Sequence, residues 1–531
     1  MSNRKPYLLG RVCEKPEKKM KLLDTYKNDE LERMANMLGI KFNKFESNNK
    51  LCESIRAVLE GNNINTMDEF DNFALDHKIK KYPSLNDFMI FQPGLYSINK
   101  LFNGIDDIGK FNRTIQPIGN NSHNGFIRKL NYVNNGIILN VVLKSNKKKS
   151  TDNPYYEYLA GQCINEFSKY FPFFSRTYAI GQYKTRAFWN LFGSINKKTD
   201  LPYDISHYIE YFDVAASLDQ KVKNSCIDSD MKNVFTQFIN IKKSLLQYFY
   251  NFTDASDHFE VKYQNQLTKH ILLLYLVYGT LSKLGNYFTH YDLHMNNVVL
   301  YEIPNNNYID IVIKTINGKK IILKSRYLPI IIDYGRGYFN CHALQSGILD
   351  SPSLMKKVCE YDITNPIPAD KVCPNICGND VGYQFSGKIN QDGSVDSTGV
   401  DDFYINLAKR NISHDLRLLS DLKHIIDFSH LDQDISYIKQ FTDLLKEINY
   451  RSYNPYGMPE IEQPQPQPQP QSHNSINNIH DAARALDDIV RNPEYIRHIN
   501  TVVLNSNPGY YGELSIDFSA DGFREFSFFK N

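Results

Sequence analysis

Two carboxylates and one amide recur at strand ends and tight loops in this chain. Asp292 and Asn297 lie five positions apart in HYDLHMNNVVL (290–300), and Asp333 follows in PIIIDYGRG (329–337). Oxygen donors of this kind suit Mg²⁺, which keeps several waters and takes one or two carboxylates together with phosphate oxygens. Asp292 can also accept the proton of an attacking hydroxyl. Together these residue types can do phosphoryl transfer, where positioning and electrostatic stabilisation carry nearly all of the catalysis.

The flanking segments must hold those side chains in place. Residues 264–284 are apolar nearly all round, so they read as one buried helix that delivers the chain to His290. Upstream, IGNNSHNGFIRKLNY (118–132) reads as a turn bounded by Gly119 and Gly125 with Asn120, Asn121 and Asn124 inside it, leading into a strand. Asparagine tolerates a positive φ better than most residues, so a turn is expected there. GIILNVVLKS (136–145) is a second strand, and it carries Lys144. Pro154 suits the first turn of a helix over PYYEYLAGQCINEFSKYF (154–171), which contains Glu157 and Glu166. SHYIEYFDVAASLDQ (206–220) reads as a strand running into a small-residue linker. YIDIVIKTINGKKIILKS (308–325) alternates on each side of Asn317–Gly318, a strong hairpin signal. SHDLRLLSDLKHII (413–426) is an amphipathic helix opening with Asp415.

The series resembles the protein-kinase superfamily. H-Y-D-L-H-M-N-N is similar to the kinase catalytic loop, D-Y-G to D-F-G, and V-V-L-K to the strand that carries the kinase lysine. Y-E-Y-L-A-G-Q-x-I-N followed by P-F-F resembles serine/threonine-protein kinases assigned in large DNA viruses of the mimivirus type. The resemblance implies an α+β, two-lobed protein-kinase-like fold with a small β-rich lobe over about 111–212 and a larger helical lobe over about 213–531.

It also implies roles. Ile118, Gly119 and Gly125 would cover the phosphates of ATP, and Lys144 would pair with them. Glu157 would fix that lysine, with Glu166 as the alternative. Glu210 to Phe212 would lie at the hinge near the adenine, and Asn297 and Asp333 would hold Mg²⁺. Asp292 would be the catalytic base, and Asp415 would tie down the catalytic-loop backbone. His294 stands where serine/threonine kinases carry lysine. The pattern D-x-H-x-x-N is similar instead to small-molecule kinases of the aminoglycoside and choline type. Tyr291 replaces the arginine that reads a phosphorylated activation loop, and no A-P-E follows. The leading expectation is an ATP- and Mg²⁺-dependent serine/threonine protein kinase with an unknown protein substrate. A small alcohol acceptor or a catalytically inactive scaffold are the alternatives.

The totals bound the rest. At 531 residues, with 42% hydrophobic and 23% charged residues, the chain has the composition of an ordinary folded protein of two or three domains. A formal net charge of +2 gives no clear nucleic-acid footprint and no electrostatic case for a membrane partner. The apolar run at 271–278 is far shorter than the ~20 residues of a bilayer span. The first residues carry no signal-peptide core, so the protein is expected to be soluble and intracellular, in the host cytoplasm or the virion if viral. Eight cysteines without a dense framework are expected to be reduced, and Cys373 and Cys377 have a metal-type spacing without a matching second pair.

Helical spacing at Leu31, Met34, Ala35 and Leu38, and again over 49–59, predicts a helical N-terminal region (1–62), either a helix–loop–helix of the SAP-like kind or an extension packed on the main domain. Residues 63–110 read as a transition segment. The Pro-Gln stretch within 452–474 is an unpacked loop. A further helix presents Ile476, Ile479, Ala483, Leu486 and Val490 on one face. The alternating tail (513–529) is expected to dock onto the large lobe.

Overall fold

The computed structural model describes residues 31, 34, 35, 38, 40, 48–64, 67–102, 104, 105, 107–119, 125–134, 136–147, 153–212, 229–250, 259–341, 350–354, 388, 389, 395, 396, 410–450, 475–519 and 522–530. The chain divides into two compact units, Met1–Met89 and Ile90–Asn531. In the first, the helical residues Leu31, Met34, Ala35 and Leu38 are buried against α1 (Asn48–Gly61) through Leu51, Ile55 and Leu59. Asn63 takes a left-handed conformation (φ 53°), and the Ile64 N–H returns 2.9 Å to Leu59 O, which closes the helix. This unit extends past the expected boundary at 62. Phe70 and Ala74 of α2 (Met67–Ile79) complete its core, which two short helices alone would leave open.

The second unit is mixed α+β, with an antiparallel-sheet lobe and a helical region. Its large sheet has the order β5-β1-β2-β3-β7-β4-β6, all antiparallel. The strands are β1 (Thr114–Pro117), β2 (Gly125–Asn134), β3 (Ile137–Asn146), β4 (Thr177–Tyr183), β5 (Thr199–Asp200), β6 (Ile209–Tyr211) and β7 (Lys232–Gln237). Strands β2 and β3 pair without a break from Gly125↔Asn146 to Asn134↔Ile137, turning at Gly136 (φ 78°). Leu139, Val141 and Leu143 are buried on one face of β3. The two-residue period therefore puts Val142 and Lys144 together on the other face.

Helix α3 (Pro154–Phe167) packs along this sheet. Its first turn is capped by Asn153, whose side chain accepts from the Tyr155 and Tyr156 N–H groups at 3.1 Å. After β7 the chain passes through Phe238–Asn240 into β8 (Ile241–Ser244), which joins a second sheet of order β13-β10-β8 with β10 (Val298–Glu302) and β13 (Tyr327–Ile331). Between them run α4 (Leu245–Tyr250) and α5 (Phe259–Leu284), the latter buried throughout Ile271–Tyr278. Strands β9 (Phe288–Thr289) and β14 (Tyr338–Phe339) pair beyond it, and a two-residue ladder joins β15 (Lys388–Ile389) to β16 (Val395–Asp396). Later helices include α6 (Arg417–Ile425), α7 (Ser436–Glu447), α8 (Ile479–Val490) and α9 (Pro493–Leu504).

The hairpin over 308–325 forms β11 (Tyr308–Lys314) and β12 (Lys320–Ser325), paired from Ile309↔Ser325 to Lys314↔Lys320. The C-terminal tail docks, as expected, within the region assigned to the large lobe, and it does so by strand addition. Strand β17 (Tyr510–Asp517) adds parallel to β11, and β18 (Ser527–Lys530) pairs with β17, giving a four-stranded sheet. The unpaired edge of β11 offers the backbone partners that an alternating tail requires.

The cysteines also depart from expectation. Cys163 of α3 is bridged to Cys341, just beyond β14. The fold brings their Cα atoms to 5.7 Å, within bridging range, although 178 positions separate them in sequence. Cys373 and Cys377, Asn120, Asn121 and Asn124, and the Pro-Gln loop lie outside the described residues. Among the described residues no helix is long and apolar enough to cross a membrane.

Candidate functional site

Lys144 stands at the centre of the cleft between the sheet lobe and the helical region. Its Nζ lies 3.0 Å from Glu157 Oε1 and 2.9 Å from Oε2, and 2.7 Å from Asp333 Oδ1. Of the two candidate partners on α3, Glu157 reaches it from the first turn. Glu166 instead pairs with Lys169 on its own helix. Asp333 follows β13 in a left-handed conformation (φ 68°), a strained state for a residue with a side chain. Burial opposes its charge, but the Lys144 ammonium, its hydrogen bond, Arg336 and His290 together bring the carboxyl down to about 2.

Strand pairing brings the other residues to the same place. Val298 of β10 stands opposite Ile331 of β13, so Asn297 and Ile332 are neighbours just past the ladder. The Ile332 N–H donates to Asn297 O at 3.0 Å, and His290 Nε2 meets Ile332 O at 2.9 Å. Asn297 Nδ2 donates to Asp292 O at 2.9 Å and draws the loop into a closed turn. Tyr291 within it has a φ of 60°. That conformation is held from beneath by Asp415, whose two oxygens accept the His290 N–H (2.8 Å) and the Tyr291 N–H (3.0 Å). Burial and the nearby Asp292 charge push Asp415 upward, the two N–H groups pull it down, and it comes to about 7.

Asp292 is bracketed by guanidinium groups. Arg417 Nη1 lies 2.9 Å from Oδ1 and Arg336 Nη1 3.3 Å from Oδ2. His294 Nε2 is 3.9 Å from Oδ1, and burial holds its pKa below the ordinary histidine value in spite of Asp292. It therefore carries little charge at neutral pH.

Above these groups lies a cavity of about 500 Å³, lined by Ile118, Gly119, Ile127, Val142, Lys144, Glu157, Asp333 and the segment Thr236–Asn240, among others. Its size falls in the range of small-molecule sites. Gly119 has a φ of 62°. At Gly125 a Cβ would meet Ser145 O at 2.5 Å, so the close approach of β2 to β3 at the base of the loop requires glycine.

Two expected residues lie elsewhere. Glu210 is exposed on β6, the outermost strand of the sheet, and Phe212 packs edge-on against Tyr155 at 5.8 Å. The position between the lobes belongs to Thr236–Asn240, because β7 inserts between β3 and β4 and carries the chain across. The β-branched and aromatic residues of KNVFTQFINIKKS (232–244) are the sequence signal for the strand that makes the crossing. Arg336 and Arg417 had no such signal.

Among the described residues no group of three or more His, Cys, Asp or Glu forms a metal site. Asn297 and Asp333 nonetheless offer oxygen donors. Asn297 Nδ2 is committed to Asp292 O, which leaves Oδ1, and Lys144 takes Oδ1 of Asp333, which leaves Oδ2. That all-oxygen pair fits a hard cation completed by phosphate and water. No protein-family model matches the chain, and no curated protein matches it.

Proposed function

We propose that the chain is an ATP- and Mg²⁺-dependent phosphotransferase of protein-kinase-like fold, and that it moves the γ-phosphate to a serine or threonine hydroxyl of a protein. The observation that carries this reading is Lys144, which contacts Glu157 of the sheet lobe and Asp333 of the helical region at the floor of a nucleotide-sized cavity. The adenine would enter against Thr236–Asn240, and the phosphates would run under Ile118 and Gly119 toward Lys144. Asn297 Oδ1 and Asp333 Oδ2 would hold Mg²⁺, which when bound neutralises phosphate charge. Asp292 would accept the proton of the acceptor hydroxyl, while Arg417 and Arg336 hold its carboxylate in one orientation.

A small-molecule acceptor is favoured by one observation: His294, beside Asp292, is held largely neutral and does not replace the lysine of protein kinases. The test is a thermal shift with ATP, with and without Mg²⁺, on the wild type and on Asp333→Ala. At a hundredfold excess of nucleotide over Kd, binding adds about 2.7 kcal/mol to stability. We expect a Mg²⁺-dependent rise in the wild type that the variant loses. An unshifted wild type would replace this reading with that of an inactive scaffold. A panel of protein and small-alcohol acceptors then separates the two enzyme readings.

A further inference from the structure

A second cavity lies away from the cleft, where α5, the end of β12 and α9 meet. It encloses about 150 Å³ and is lined by Lys269, Lys324 and Arg326, with Tyr248, Gln266 and Tyr327 beside them. Helical spacing places Gln266, Lys269 and Leu273 of α5 on one side, and Ile499 and Val503 of α9 close the other.

The charges around it do not balance. Lys324 Nζ is 2.7 Å from Asp310 Oδ1, and Arg326 Nη2 is 3.6 Å from Glu302 Oε1. Each of these two cations thus has its carboxylate, and Arg326 Nη1 also donates to Ser506 Oγ at 3.2 Å. Lys269, by contrast, pairs with no carboxylate among the described residues, and the half-buried ammonium faces the Arg326 guanidinium. Burial and that repulsion hold its pKa below the ordinary lysine value. In addition, Arg326 Nε is buried without a hydrogen-bond partner. An ammonium without a carboxylate beside a second cation on the same small cavity is costly unless an anion supplies the missing charge.

We propose that this cavity is an anion site that takes a phosphate-sized oxyanion, held by Lys269 and Arg326 with Lys324 at its edge. A site of about 150 Å³ has room for a tetrahedral oxyanion. Guanidinium and ammonium donors together suit that ligand, the first by its fixed fork and the second as a point charge. The same chemistry is presented by free inorganic phosphate and by the phosphoryl group of a phosphoserine side chain.

The test titrates the full chain with inorganic phosphate, and separately with a phosphoserine peptide, against chloride at matched ionic strength. Melting temperature and ³¹P line width are the readouts. Wild type should show saturable phosphate binding, weakened about tenfold or more in Lys269→Met and unchanged in Lys439→Met, an exposed lysine of α7 that lines neither cavity. Lys269→Met should also melt higher than wild type in chloride alone, because it removes an uncompensated cation, so a misfolded variant is distinguishable from a blocked site. Tighter binding of the peptide than of free phosphate would assign the ligand as a phosphorylated residue, and the reverse order would assign the free ion. Non-saturable stabilisation equal in wild type and Lys269→Met, an effect of phosphate as a general stabilising salt, would overturn the proposal. So would the absence of any phosphate effect.

Discussion

The two sides of the cleft hold their charges in opposite ways. On one side, two carboxylates, Glu157 and Asp333, share the ammonium of Lys144. On the other, a single carboxylate, Asp292, receives two guanidinium groups. Under the phosphotransfer reading the difference has a physical sense. The first set stands where a divalent cation and phosphates must be received, and the spare oxygens of Asp333 and Asn297 await positive charge. The second set must keep one carboxylate in a fixed orientation to take a proton, and two rigid forks do that better than a mobile lysine.

The largest expected effect breaks the Asp292 side. Asp292→Asn keeps the shape and removes the proton acceptor, so turnover should fall by about 10²–10⁴-fold. Nucleotide affinity should stay within a factor of about two, because Lys144, Asn297 and Asp333 are untouched. Steady-state rates alongside a nucleotide titration would check this. Wild-type turnover in the variant would remove Asp292 from the mechanism.

The next effect sharpens the Lys144 side. In Lys144→Met the two carboxylates lose the cation that they share. Breaking this partly buried arrangement costs about 2 kcal/mol, seen in denaturant unfolding at pH 7. The Asp333 carboxyl, at about 2 in the wild type, should rise once Lys144 is gone and only Arg336 and His290 still oppose burial. The sign follows directly. With its folded pKa depressed, Asp333 contributes stability above about pH 4 that is lost as pH falls toward 2. In the variant that acid-side loss should shrink. Carboxyl chemical shifts that stay put would show that Lys144 does not set the charge of Asp333.

Much of this cleft was legible in the sequence because strand ends and short loops keep chemistry-bearing residues at fixed intervals. Asp292, Asn297 and Asp333 meet because β10 and β13 pair in register, and the apolar runs around them already read as strands. The two-residue period likewise placed Lys144 with Val142 on the cleft face. The choice of Glu157 over Glu166 was not legible from spacing. It depends on how α3 lies on the sheet, which is a property of tertiary packing. The crossing between the lobes was misplaced to 210–212 for a related reason. The insertion of β7 between β3 and β4 is a long-range pairing, and local alternation cannot choose between two strands of similar pattern. The Cys163–Cys341 bridge, 178 positions apart, and the parallel addition of β17 to β11 are non-local in the same sense.

The smallest expected effect tests what supports the Asp292 side from below, where two adjoining residues respond to protons in opposite directions. His414 is fully buried beside Tyr291 (4.9 Å between rings), and neither ring nitrogen has a partner. Burial, with Arg417 and His290 adding to it, lowers its pKa to about 3. The unfolded chain takes up a proton near the ordinary 6.5 while the folded chain does not. The stability that His414 permits is therefore complete above pH 6.5 and is lost as pH falls toward 3. Asp415, raised to about 7, contributes stability below pH 4 that is lost as pH rises through 7. Between pH 4 and 6.5 the two slopes oppose one another. His414→Leu removes one of them, so the stability difference between variant and wild type should move in the variant's favour by about 1.4 kcal/mol per pH unit of acidification. From pH 6.5 to pH 5 that amounts to about 2 kcal/mol, readable in urea titrations at the two pH values. His270, also lowered to about 3 by burial in α5, is untouched and provides the same slope in both proteins. A difference that stays constant with pH would mean that His414 is already protonated, or paired, in the folded chain. The loop beneath Asp292 would then rest on a charged support, like the one that Lys144 supplies on the other side.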